Sequence, residues 1–245
     1  MSAINQKEPL SLKALTEDQV TFFIENGYLN NVSILSDDQL TTLRREYDEV
    51  IEKGAQLGYL ENLAAGGDNK SDEKQMLQLQ SPSSANIYFH RLLYHEPLLD
   101  VVEDLIGPNI QLFHDQILYK PPRHGSEVYL HRDNTYWKCH PATVVTCWLT
   151  LDDAGADNGT MYVIPRSHVT NTSTGDEGDI SDAVICEVSA GSALFHHCEM
   201  LHYSTPNASE KPRRALGLHY VTPGTRSPLV NVRVSLTHPI LRMRV

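Results

Sequence analysis

The apolar positions of this chain change their period near residue 110. Upstream they recur every three or four residues, the spacing of one helix face. Thr16-Glu17-Asp18-Gln19 reads as a capping box that opens a helix, with Gly27 as its stop. Ser36-Asp37-Asp38-Gln39 is a second capping box. Leu40, Leu43, Tyr47, Val50 and Ile51 then follow helical spacing, and Gly54 is the expected end. A third helix is expected over 97–106, closed by Gly107-Pro108, and the polar run 66–72 reads as a loop.

Downstream of Ile110 the pattern turns to short alternating runs. Strands are expected at 110–119, 127–131, 143–151, 160–164, 184–188, 192–196, 212–221 and 229–236. Gly, Asn and Pro turns separate them at Gly125, 154–159, Gly191, 206–209 and Pro223-Gly224. Many short strands with such turns suggest a sandwich or barrel, and eight strands in two sheets make a jelly roll. The expected class is mainly β with flanking α-helices on a double-stranded β-helix core. One domain over 1–245 is expected, mainly helical with a few strands over 1–109 and a jelly roll over 110–245. The polar, acidic stretch 171–182 reads as a solvated loop or as a lid.

Composition narrows the partners. With 31 acidic and 20 basic residues the net charge is −11, which argues against nucleic acid or an anionic membrane as a major partner. No apolar run reaches membrane-spanning length and no basic-plus-apolar leader opens the chain, so a cytoplasmic location is expected. Cys139, Cys147, Cys186 and Cys198 form no C-x-x-C pair and are expected as reduced thiols.

The chemistry concentrates in His131-Arg132-Asp133, followed by His202 and Arg213. Two imidazoles and a carboxylate are the ligands of a facial triad, which leaves open positions on Fe(II) for a chelating cosubstrate and O2. On a strand, residues two apart share a face, so His131 and Asp133 can reach one metal. A distant strand, 201–204, can bring His202. H-x-D alone is weak in a chain with 12 His and 31 acidic residues, and the whole series carries the signal. Alternation through 211–220 reads as a buried strand with an inward Arg, and it places Arg213 and Arg214 on opposite faces. A buried guanidinium needs a carboxylate, which a dicarboxylate cosubstrate offers in bidentate geometry. Ser204 shares the face of His202 and could bond the same carboxylate. His196-His197 are poor joint ligands, because neighbours on a strand face opposite ways.

Over nearly its full length the chain resembles the phytanoyl-CoA dioxygenase family of Fe(II)/2-oxoglutarate oxygenases. The segments that carry the resemblance are 15–19 with 25–29, Ile106-Gly107-Pro108-Asn109-Ile110, Lys120-Pro121-Pro122 and Leu130-His131-Arg132-Asp133 with Tyr136-Trp137. Further ones are Asn158-Gly159, Ile164-Pro165-Arg166-Ser167-His168, His202-Tyr203-Ser204, Asn207 and Arg213-Arg214-Ala215. Two departures stand out. Arg166 replaces the Gly of a "PGSH" block, and Tyr203 replaces the Gly after the distal His, where it is expected to narrow the pocket. The resemblance implies a jelly-roll core, iron held by His131, Asp133 and His202, and 2-oxoglutarate and O2 as cosubstrates. It implies 2-oxoglutarate bound by Arg213, with Trp148 beside it and Gln116 and Gln78 as further contacts.

Tyr129, Asn134, Tyr136, Trp137 and Lys138 flank the H-x-D segment and are the candidate substrate contacts. Asp133 fills the third protein site, which excludes a halogenase-like site that binds chloride there. The expected activity is hydroxylation of a C–H bond in a small organic molecule, with desaturation, epoxidation, rearrangement or acyl-CoA hydroxylation as alternatives. A non-catalytic jelly-roll binding or sensor protein is the rival class. A zinc hydrolase lacks an obvious general base beside the metal.

Overall fold

Both capping boxes start helices in the computed structural model, which describes residues 12–64, 75–170, 179–229, 232 and 237–244. Helix α1 (Glu17–Asn26) ends at Gly27 in the left-handed conformation, as expected. Helix α2 (Asp37–Leu57) runs past Gly54 and ends at Gly58, which has φ 73°. Gly54 serves a packing purpose instead: a Cβ there would stand 2.7 Å from Leu79 Cδ1. Two short helices were not expected, α3 (Ile87–Leu92) and α5 (Asp133–Trp137). Helix α4 (Glu96–Ile106) carries Pro97 in its first turn, where a missing N–H costs nothing.

The strands are β1 (Tyr28–Ser33), β2 (Glu61–Asn62), β3 (Leu77–Gln80), β4 (Ile110–Lys120), β5 (Val128–His131) and β6 (Val145–Thr150). They continue as β7 (Met161–Val163), β8 (Val184–Cys186), β9 (Ser192–His197), β10 (His202–Ser204), β11 (Arg213–Val221) and β12 (Ile240–Arg242). Seven of the expected strands correspond to β4 through β9 and β11. The expected run 229–236 falls mostly outside the described residues, and Leu229 and Val232 are not in a strand. The loop at 66–72 and the stretch 171–178 also lie outside them. Strands β1, β2 and β3 are the few strands expected over 1–109 without assigned positions, and β12 was not expected. Each lies on the flanks of the larger sheet, where pairing with a neighbour outweighs local preference.

The larger sheet has the order β1-β9-β6-β11-β4-β3-β2, with β12 also paired to β4. The smaller has the order β5-β10-β7-β8. All these pairings are antiparallel. This is a mainly β architecture in two sheets, flanked by helices. The outer face of the larger sheet joins α2, α3 and α4 in one core that includes Tyr47, Leu92, Leu99, Cys147, Leu216 and Phe195. Each such fully buried side chain contributes about 1.5–3 kcal/mol of transfer free energy. Residues of the alternate set, such as Trp148, Ala215 and Leu194, pack in a second cluster with Met161 and Val163 of β7. Alternation along β11 thus separates a helix-facing set from a cavity-facing set.

Candidate metal and ligand site

A cavity of about 590 Å³ lined by both sheets holds His131, Asp133 and His202. His131 ends β5, and His202 pairs with it across the small sheet as the first residue of β10. Asp133 is not on the strand, as the H-x-D reading expected, but opens α5. The intervening Arg132 is extended, with φ −114° and ψ 133°, so the side chains of 131 and 133 still converge. One ligand atom from each of the three lies within 4.8 Å of the others. Asp133 Oδ1 is 3.6 Å from His131 Nε2 and 3.8 Å from His202 Nε2.

Backbone carbonyls set both imidazoles. His131 Nδ1 donates to Tyr129 O at 2.7 Å, and His202 Nδ1 donates to Met200 O at 3.0 Å. A carbonyl only accepts, so each Nδ1 carries a proton and each Nε2 is turned toward Asp133. Burial, then His131 and His196, holds the His202 imidazole well below the usual histidine range and therefore neutral. For Asp133 burial alone would raise the pKa. The cluster of His202, His131 and His196 around it outweighs that and keeps it low. An ionised Asp133 and a neutral His202 are the protonation states a divalent metal requires of these ligands.

The loop at 164–168 braces both ligand segments. Arg132 Nη1 donates to Ser167 O at 2.7 Å, and Leu201 N donates to Ser167 Oγ at 2.8 Å. Arg166 has φ 68° there, so the turn keeps the left-handed geometry that glycine favours, with a side chain in it. Tyr203, expected to narrow the cavity, lies at its lining but stacks its ring on Tyr162 at 5.0 Å.

Arg213 also lines the cavity, on the inward face of β11, and is 1% exposed. Among the described residues it forms no ion pair, and its Nε has no hydrogen-bond partner. Nη2 is 3.7 Å from Met76 Sδ, and the guanidinium lies 5.3 Å from the ring centroid of Trp148. Burial lowers its pKa to about 10, so it stays charged at neutral pH. A buried, charged guanidinium lacking a carboxylate is suited to an anionic ligand. Ser204 Oγ accepts from Lys120 Nζ at 2.7 Å and keeps its own proton to donate. Lys120 itself is fully buried, and burial with the nearby Arg213 lowers its pKa to about 6.

Gln78 and Gln116 reach the cavity but bond to each other. Of the flanking candidates, Tyr129 and Tyr136 lie at its mouth, 64% and 60% exposed. Trp137 lines it with its ring 4.8 Å from that of His219. Asn134 and Lys138 do not line it, because α5 turns them away. Asn134 bonds Glu199 and accepts from Cys139 N at 2.7 Å, and Lys138 caps α5 in the left-handed conformation. Sequence reasoning did not place Thr146 or His219 at the site and weighed His196 only as a joint ligand with His197; all three line the cavity. Extending the alternation from Arg213 would have placed His219 inward. A larger open cleft of about 1040 Å³ elsewhere has its arginines paired already, Arg214 with Asp152 at 2.7 Å and Asp48 at 2.9 Å, and Arg44 with Asp152 at 3.7 Å.

The four cysteines are free and buried. Among the described residues no helix is long and apolar enough to cross a membrane.

A family model described as Phytanoyl-CoA dioxygenase (PhyH) matches residues 23–215. A phytanoyl-CoA dioxygenase of Arabidopsis thaliana is 26% identical, over 85% of this chain and 89% of its own. The crystal structure of the non-haem alpha-ketoglutarate-dependent carbocyclase SnoK from nogalamycin biosynthesis superposes with a TM-score of 0.82. It is 22% identical and covers 96% of this chain and 99% of its own. The epimerase SnoN, in complex with Fe3+, alpha-ketoglutarate and nogalamycin RO, gives 0.80 at 18% identity, over 92% and 98% of the two chains.

Proposed function

Because the chain belongs to the phytanoyl-CoA dioxygenase family, we propose that it is an Fe(II)- and 2-oxoglutarate-dependent oxygenase that hydroxylates a C–H bond of a small organic molecule. One observation carries the reading. A triad of two imidazoles and a carboxylate shares a cavity with a buried arginine that has no carboxylate partner among the described residues. His131, Asp133 and His202 would hold the iron, which supplies the oxidising power with 2-oxoglutarate and O2. Arg213 would bind the far carboxylate of 2-oxoglutarate, with Ser204 as a second donor and Trp148 beneath the guanidinium. Gln116 and Gln78 would frame that end of the cavity.

The remaining space takes the substrate. Tyr129 and Tyr136 offer aromatic surface at the mouth, and Trp137 continues it inward. Among the described lining residues Arg213 is the only Lys or Arg, while Glu127 and Asp133 are acidic. That balance supports a neutral or cationic substrate, such as a specialised metabolite, over an acyl-CoA, whose phosphates call for cations at the rim. The likeness in fold to a carbocyclase and an epimerase favours a second outcome from the same cofactors, a rearrangement in place of hydroxylation. The test is substrate-stimulated conversion of 2-oxoglutarate to succinate across acyl-CoAs, free acids, amino acids and polycyclic metabolites. Coupling to a polycyclic or amine substrate is expected. Strong coupling to an acyl-CoA would overturn the substrate reading and leave the oxygenase reading standing.

A further inference from the structure

The inner face of the larger sheet carries a file of polar side chains that ends on Asp133. His196, Thr146, His219 and His114 stand in register across β9, β6, β11 and β4. Thr146 Oγ1 donates to Asp133 Oδ2 at 3.1 Å and lies 2.9 Å from His219 Nδ1. His219 Nε2 lies 3.1 Å from Gln116 Nε2. Gln78 Nε2 donates to Gln116 Oε1, and Gln80 Nε2 donates to Gln78 Oε1 at 2.8 Å.

Proton counting sets the direction of this chain. A threonine hydroxyl has one proton, and an ionised carboxylate only accepts. Thr146 therefore spends its proton on Asp133 and must accept from His219. That places a proton on His219 Nδ1 and leaves Nε2 as an acceptor for the amide N–H of Gln116. The Gln116 carbonyl is then free to accept from Gln78. Each link donates toward the carboxylate. The reverse order would turn the Thr146 proton to a neutral imidazole and away from a charged acceptor, which makes the stronger bond. Burial keeps His219 neutral, as this order requires. Gly217 leaves room for the central link: a Cβ there would stand 3.1 Å from Gln116 Nε2 and 3.2 Å from His219 Nε2.

We propose that Thr146 and His219 are positioning residues for Asp133, fixing Oδ2 so that Oδ1 alone faces the two histidine Nε2 atoms, with His219 locked as its Nδ1–H tautomer. The proposal rests on the metal-centre reading above. One-oxygen ligation keeps the remaining metal positions open for a chelating cosubstrate, whereas a carboxylate free to rotate could occupy one of them.

Two measurements test it. Nitrogen-15 NMR of the metal-free protein should find His219 protonated at Nδ1 and bare at Nε2; an Nε2–H tautomer overturns the proposal. Cobalt(II) titration, followed by calorimetry and by the visible ligand-field band, should show Thr146→Val losing about 10- to 100-fold in affinity with a changed band. Thr146→Ser, which keeps the hydroxyl, should bind within about threefold of the parent with the parent's band. Wild-type affinity and band in Thr146→Val overturn the proposal, and so does an equal loss in both variants, which would mark a packing role. Asp133→Ala is the control for the underlying reading. If it binds cobalt(II) as tightly as the parent, the metal centre is misassigned, while the tautomer result still decides the direction of the chain.

Discussion

Arg213 and Arg214 are neighbours on β11 and face opposite sides of the larger sheet. Arg214 points outward into Asp152 and Asp48, which accept five of the hydrogen bonds its backbone and guanidinium donate. The outward Asp115 is likewise answered, by Ser83 N at 2.8 Å and Ser83 Oγ at 2.9 Å. On the inner face Arg213 has its Nε unpartnered, and the triad holds its lone pairs toward a common point. Both faces bury charge, and only the outer face closes the account within the chain. Polar groups satisfied internally hold the fold. Those left open in a cavity are stable only if a ligand completes them or if their cost is tolerated for function.

The largest effect should come from the inner face. His131→Ala, Asp133→Ala or His202→Ala should each remove bound iron and measurable succinate formation, with the chain still folded. Metal analysis and a coupled succinate assay check this, and full activity in Asp133→Ala would break the contrast outright. Next, Arg213→Met should raise the apparent KM for 2-oxoglutarate about thirtyfold or more, the loss of a buried charge pair worth about 2–5 kcal/mol. Arg214→Met should leave that KM within about threefold and instead cost about 1–3 kcal/mol of unfolding free energy. Cosubstrate titration beside denaturant unfolding separates the two. An Arg214-dominant KM effect would exchange the roles of the faces.

Leu216 lies on the same outward face as Arg214 and is fully buried in the helix-packed core. Leu216→Ala should cost about 2–5 kcal/mol of stability and leave the KM unchanged, which calorimetry with kinetics can verify. The smallest effect concerns Lys120. Burial and Arg213 lower its pKa to about 6, against about 10.4 for an unfolded lysine. Between these values the unfolded chain binds one more proton than the native one, so this group makes stability climb as pH rises through the window and fall as pH drops toward 6. Lys120→Met should flatten that climb in urea unfolding of the metal-free protein followed from about pH 6 to about pH 9. An unchanged slope would mean Lys120 is not the source.

Local pattern alone made much of this legible. The capping boxes at Thr16 and Ser36 begin helices because a cap is completed within four residues. The alternation through β11 puts Arg213 and Arg214 on opposite faces because a strand's side chains take turns by geometry, while the family resemblance singled out Arg213 as the inward one. Residue type and spacing likewise single out His131, Asp133 and His202, which the fold gathers in one cavity. Other features depended on where distant segments meet. Asn134 and Lys138 sit beside the H-x-D run in sequence, yet the short helix α5 carries them off the cavity. Thr146 and His219 are 73 residues apart and touch because β6 and β11 align at one register. A one-residue slip of either strand would send its member of the pair to the other face of the sheet. Sequence periodicity determined which side of its own strand each residue occupies. Only tertiary packing decided which strand lies beside which, and at what offset, because that choice is made by the cores buried on both faces at once.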